Sequence, residues 1–294
     1  MQLDVVPRAA VEFLRQTETS DPDALINEYV EYMLKSAGAW KLPVDLELVI
    51  RHHGFKQHTG PLTEALAQRG MLLGETIIYK SDDAPVIQRF TKAHELVEAL
   101  AVALRSERPS RFSPDVAEWF SERKESWCER GAAEFLLPTD LFVPLVNRRG
   151  VRLSIGCELA RDCEVSLTAT MRRMLEANVA QRILLWAQEA YYRWRGAPVT
   201  IRGLLSDPSK HWKTPSRLHV ARFWRSPLAH TTVHQYEPIP IDTSIQRTFQ
   251  AQTSGKIEAC NDLLTFRNMN GRYHVESKLV TIGKVPTVIA LIHL

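Results

Sequence analysis

The chain has 294 residues, of which 45% are hydrophobic and 24% charged; that is the make-up of a globular protein, and it excludes a disordered or fibrous chain. No apolar run approaches the roughly 18 residues of a membrane span, and Met1 is followed by Asp4 and Arg8 rather than by a signal sequence, so the expected setting is cytoplasmic, away from the membrane. The net charge of +3 hides an asymmetry: residues 1–179 hold 22 Lys and Arg against 27 Asp and Glu, whereas residues 180–294 hold 15 against 7, so the second part is the one suited to a polyanion, if it is more than a soluble basic domain.

In chain order, Asp21–Ala37 opens on Asp-Pro-Asp and carries Leu25, Ile26, Tyr29, Val30 and Met33 at helical spacing, an amphipathic helix. Met71–Tyr79 is short and β-prone, and the turn signal Ser81-Asp82-Asp83 separates it from a helix beginning near Gln88. A second long helix is expected from about Pro114 to Leu136, stopped by Pro138. Ser154–Ala160 and Ser166–Leu175 read as helix, tight turn, helix. Beyond Ala180 come short strand-like segments, Ile183–Trp186, Val199–Ile201, Leu263–Phe266, Tyr273–Val275, Lys278–Ile282 and Thr287–Ile292, punctuated by Asn270-Gly271 and Gly283. Four scattered cysteines, Cys128, Cys157, Cys163 and Cys260, form no disulfide framework and fit a reducing compartment.

The densest chemistry lies in Arg89-Phe90-Thr91-Lys92-Ala93-His94-Glu95-Leu96-Val97-Glu98. His94 and Glu98, four residues apart on one helical face, can reach one metal ion from consecutive turns. Glu95 sits about 100° around the helix from His94, where a carboxylate can act as general base instead of ligand. A solvated helix face explains the same residues without any metal.

The stretch Glu125-Ser126-Trp127-Cys128-Glu129-Arg130-Gly131-Ala132-Ala133-Glu134-Phe135-Leu136-Leu137-Pro138 then follows. With the first motif it resembles the ImmA/IrrE family of bacterial metallopeptidases, over residues 20–180 and, in members with an added sensor domain, the whole chain. The resemblance implies an α+β chain: a mainly helical zincin-like metallopeptidase domain with a small sheet (1–145), a helix-turn-helix-like segment (146–179) and a basic, α/β GAF-like sensor domain (180–294). It implies Glu125 as third metal ligand and Glu129 beside the ligands, orienting the first, with Cys128 as packing. Position 98 departs from the family, which has His there. A His/Glu/Glu set neutralises a divalent ion, acidifies its water less, and admits Mn2+ or Fe2+ besides Zn2+.

The implied activity is cleavage of a helix-turn-helix repressor, in some members after DNA damage; relief of stress or antiviral defence genes is what the family suggests. A non-catalytic metal-binding sensor or adaptor that binds a repressor or DNA is the alternative. Arg193, Trp194 and Arg195, with Arg222, Trp224 and Arg225, combine cations and rings in the manner of single-stranded nucleic acid binding, so single-stranded DNA is the expected activator. A sheet core with a solvated rim accounts for any one of these rings equally well.

Overall fold

The computed structural model describes residues 6–60, 70–107, 114–177, 180–192, 198–200, 217–252 and 255–294. Helix and sheet are mixed, and the chain divides into two compact units: Met1–Leu145 with Leu159–Thr170, and Val146–Glu158 with Met171–Leu294. Among the described residues no helix is long and apolar enough to cross a membrane.

The first unit opens with α1 (Arg8–Gln16), α2 (Pro22–Ser36) and α3 (Leu46–His52). Asp21 caps α2, its carboxylate accepting the Ala24 N–H at 2.8 Å, and Asp45 caps α3 through the Leu48 N–H at 2.9 Å. Leu25, Ile26, Tyr29, Val30 and Met33 are all buried, as the spacing predicts. Neither α1 nor α3 was expected.

Met71–Tyr79, expected as one strand, is a hairpin of β2 (Gly70–Leu73) and β3 (Thr76–Tyr79). The chain reverses at Gly74, whose φ of +60° a side chain would strain. β1 (Lys56–Thr59) runs parallel to β3 on its far side, which leaves β2 as an edge strand among the described residues.

Two long helices follow, α4 (Pro85–Glu107), three residues earlier than expected, and α5 (Pro114–Leu136), within its expected limits. Arg89 donates to the Val44 carbonyl at 3.0 Å and Lys92 to Glu47 at 2.6 Å, which tie the start of α4 to the α3 region. Tyr29 donates to the Leu96 carbonyl at 3.2 Å and Trp127 to the Pro22 carbonyl at 3.0 Å, so α2 touches both long helices. The long helices meet closely at Gly131, where an added Cβ would lie 2.6 and 2.8 Å from the Val97 methyls. After Pro138, buried Glu134 accepts both the N–H and the hydroxyl of Thr139, at 2.7 and 2.8 Å, and starts α6 (Thr139–Arg149). Helices α7 (Leu153–Asp162) and α8 (Leu167–Glu176) flank a tight turn at Glu164, φ +55°, as the sequence predicts.

In the second unit β4 (Arg182–Tyr192), β5 (Pro198–Thr200), β6 (Arg217–Arg225), β7 (Ile257–Phe266), β8 (Met269–Ile282) and β9 (Val285–His293) form an antiparallel sheet in the order β5-β4-β9-β8-β7, with β6 also on β4. One face, with Ile183, Leu185, Val275, Val288, Ala290 and Ile292, packs with Ile245 of α9 (Ser244–Gln250) into a core. Two expectations are corrected. Tyr273–Val275 and Lys278–Ile282 belong to one strand, and the β7–β8 turn is Arg267-Asn268, because Asn270 pairs with Thr265 and Gly271 with Leu264. Gly283 does turn the chain, at φ +64°.

Alanine in place of glycine inside a helix normally gains about 0.5–1 kcal/mol. At position 131 the stiff β-branched Val97 stands in the way, so Gly131→Ala is expected to destabilise by about 1–3 kcal/mol in thermal unfolding. Val97→Ala should restore the loss in the double variant; equal melting of wild type and Gly131→Ala would contradict the close packing.

Candidate functional site

The α4–α5 contact sets the site. Val97 and Gly131 bring the helices together, and one turn from Val97 the side chains of α4 face those of α5 across a cleft of about 400 Å3 lined by Gly70, Thr91, His94, Glu95, Glu98, Lys124, Glu125 and Glu129. His94 Nε2 stands 3.6 Å from Glu125 Oε2, and its Nδ1 stands 3.6 Å from Glu95 Oε1. Glu95 is buried in the cleft floor, whereas Glu125 is open to solvent.

A strand closes over that floor. A Cβ on Gly70 would fall 2.2 Å from Thr91 Cγ2 and 2.9 Å from Glu95 Oε1, so only glycine lets β2 pass this near the carboxylate. Gly70 carried no signal in the sequence because it stands in no motif.

Glu98 is held differently from His94. Its Oε1 accepts from Lys124 at 2.9 Å and lies 3.5 Å from Arg105, and its Oε2 accepts from the Cys128 thiol at 3.7 Å. Lys124 also approaches Glu125, at 3.5 Å. Burial alone would lower the Lys124 pKa, but Glu98 and Glu125 hold the ammonium charged and raise it. Burial likewise pulls His94 down, and Glu95, Glu125 and Glu98 together outweigh it and raise it above its ordinary 6.5. The Cys128 thiol is pushed upward, first by burial and then by Glu98, so it stays protonated as a donor. Cys128 thus touches Glu98 as well as filling space, and Lys124, unnoticed in the sequence, is the cation of the cleft.

An imidazole and two carboxylates on facing helices are a donor set for a divalent ion. His94 and Glu125 already converge. Glu98 does not complete a trio with them: among the described residues His274, Glu276 and His293 alone have three such ligand atoms within 4.8 Å of one another. The donors fit on chemistry, and Glu98, paired with Lys124, would have to give up that ion pair to join them. Glu129 lines the same cleft on the solvent side.

Residues 45–175 match the model of the IrrE N-terminal-like domain, a peptidase family. Over that stretch the chain resembles the ImmA/IrrE-family metallopeptidases. It is 34% identical over 103 residues to the radiation response metalloprotease IrrE of Deinococcus deserti, a match covering 34% of this chain and 36% of that protein's length. In three dimensions it resembles a Mycobacterium tuberculosis transcriptional regulator with a TM-score of 0.54 and 12% identity, over 97% of this chain and 80% of the other, a likeness of fold. A metal, typically zinc, goes with the peptidase family.

Of the residues expected to meet nucleic acid, Arg222, Trp224 and Arg225 lie on β6. The Arg222 guanidinium is 5.6 Å over the Trp186 ring, Trp224 meets Trp186 edge-on at 5.3 Å, and Arg172 is 5.5 Å over Trp224. Arg225 donates to the Ala229 carbonyl at 3.5 Å. Arg193, Trp194 and Arg195 lie outside the described residues.

His94 must lose its proton to ligate, so zinc affinity is expected to be level above the raised His94 pKa and to fall about tenfold per pH unit below it. Zinc titrations between about pH 6 and about pH 8 check this, and flat affinity would remove His94 from the site. Removing the competing ammonium with Lys124→Met should raise zinc affinity by about tenfold or more, since like charges a few ångströms apart repel by several kcal/mol even when partly screened. Unchanged affinity would mean that Lys124 does not guard Glu98.

Proposed function

We propose that the chain is a regulatory zinc endopeptidase that cleaves a helix-turn-helix repressor, with His94, Glu98 and Glu125 holding the ion and Glu95 as general base. The observation that carries this reading is Glu95 itself, a carboxylate buried in a cleft floor beneath Gly70, in contact range of His94 but outside the proposed ligand set. The ion, when bound, would polarise the scissile carbonyl and lower the pKa of water. Glu95 takes a proton from the attacking water and passes it to the leaving amine. The edge of β2, open among the described residues, with Gly70, Met71 and Leu72 on the cleft, offers backbone N–H and C=O groups to an extended substrate, the usual way a sheet edge recognises a peptide. Glu129 in the cleft steers the His94 imidazole or an approaching substrate cation. The family match and the relative named a radiation response metalloprotease support peptidase chemistry under regulation.

A second reading rests on Glu98. Its ion pairs to Lys124 and Arg105 neutralise Glu98 without a metal, the arrangement of an adaptor that keeps the fold and binds a repressor without cutting it.

For activation we propose single-stranded DNA on the second unit, whose sheet carries Trp186, Arg222 and Trp224, with Arg172 of α8 beside Trp224, rings and cations suited to unstacked bases and phosphates. In this proposal residues 1–145 are the zincin-like peptidase domain, 146–179 a helix-turn-helix-like docking segment and 180–294 the GAF-like sensor.

The test is cleavage of the helix-turn-helix protein encoded beside this gene, with and without single-stranded DNA. Glu95→Gln should keep zinc and lose at least about a hundredfold in rate. No cleavage by wild type, with repressor binding intact, would select the adaptor. Arg222→Ala with Trp224→Ala should weaken salt-dependent oligonucleotide binding and leave cleavage at saturating DNA unchanged; undiminished binding would remove β6 from the DNA site.

A further inference from the structure

The second unit holds a cluster of metal-ligating side chains apart from the peptidase cleft. Across four strands one row of residues is in register: Arg182 on β4 faces His293 on β9, His293 faces His274 on β8, and His274 faces Asn261 on β7. Side chains two apart on a strand share a face, so Glu276 joins the row beside His274. His274, Glu276 and His293 offer one ligand atom each, all within 4.8 Å of one another.

Each member of the trio has a polar neighbour that bears on its use as a ligand. His293 Nε2, a buried atom, approaches Glu276 Oε1 to 2.8 Å, so an imidazole nitrogen and a carboxylate oxygen, both able to ligate, already converge there. The other oxygen of Glu276, Oε2, is pinned by the Leu153 N–H at 2.6 Å, which fixes the carboxylate with Oε1 directed at the histidines. His274 Nδ1 lies 3.3 Å from Asn261 Oδ1, a contact that keeps the proton on Nδ1 and leaves Nε2 bare. Outer partners that fix tautomer and carboxylate in this way are the usual surroundings of a metal site. The two rings are 4.8 Å apart at 74°, edge to face.

We propose that His274, Glu276 and His293 bind a divalent zinc-class ion, a site independent of the peptidase cleft that joins β8 to β9. Zinc bonds of about 2.0–2.2 Å put ligand atoms about 3.3 Å apart, a separation that exposed His274 reaches by rotating its side chain. A buried carboxylate at the centre of the trio excludes an anion such as phosphate, despite Arg182 nearby. Arg182 is directed elsewhere, its Nη1 donating to the Gln181 carbonyl at 2.7 Å.

Chelator-stripped full-length chain is titrated with Zn2+ against a chromophoric competitor. Two equivalents are expected for wild type, one for His94→Gln, one for His274→Gln with His293→Gln, and none for the triple variant. Asn261→Ala, which removes only the outer partner, should weaken the second site about tenfold. Retention of wild-type stoichiometry by the His274/His293 variant overturns the proposal, and so does absence of zinc from His94→Gln. Undiminished zinc in His94→Gln counts against the peptidase site alone. Should the double variant fail to fold, the wild-type imidazole NMR signals decide: His274 and His293 shift on zinc addition, or the site does not exist.

Discussion

The distance between α4 and α5 governs the candidate peptidase site. It is set by one contact, Gly131 against the two methyls of Val97, where any side chain larger than hydrogen would drive the helices apart. At that separation Glu125 stands 3.6 Å from His94. Gly70 imposes the same constraint from above, letting β2 lie against Thr91 and Glu95, so the carboxylate is buried without being shut away from the cleft. Two glycines thus position groups that neither of them touches chemically.

Charge is the second theme. Four carboxylates, Glu95, Glu98, Glu125 and Glu129, line one small cleft and would repel one another without cations. Lys124 and Arg105 supply them at Glu98, and the raised His94 supplies part of another. Glutamate at position 98 explains why such neighbours are tolerated: a neutral histidine there would gain nothing from an ammonium, whereas a carboxylate pairs with it. In the proposed metal site a divalent ion would compete with an internal lysine for Glu98.

Much of this was legible in the sequence. Helical spacing and Asp caps mark α2, and the two motifs mark α4 and α5 with their inward faces, because a helix declares its own neighbours at three and four residues. Sheet register is another matter, since it depends on turns. Met71–Tyr79 reads as one strand until Gly74 is given its positive φ, and Asn270-Gly271 reads as a turn although both residues pair inside β8. His274, Glu276 and His293 escape a reading of the sequence for the same reason, although a two-residue turn at Gly283-Lys284 fixes the register that faces His274 with His293. Lys124 and Cys128 were invisible as partners of Glu98 because their relation to it crosses between helices.

The most direct test of the central claim is anomalous diffraction at the zinc edge from crystals of the zinc-loaded chain. The account requires a peak bounded by His94, Glu98 and Glu125, with Lys124 displaced from Glu98. An intact Lys124–Glu98 ion pair with no peak between α4 and α5 would contradict it.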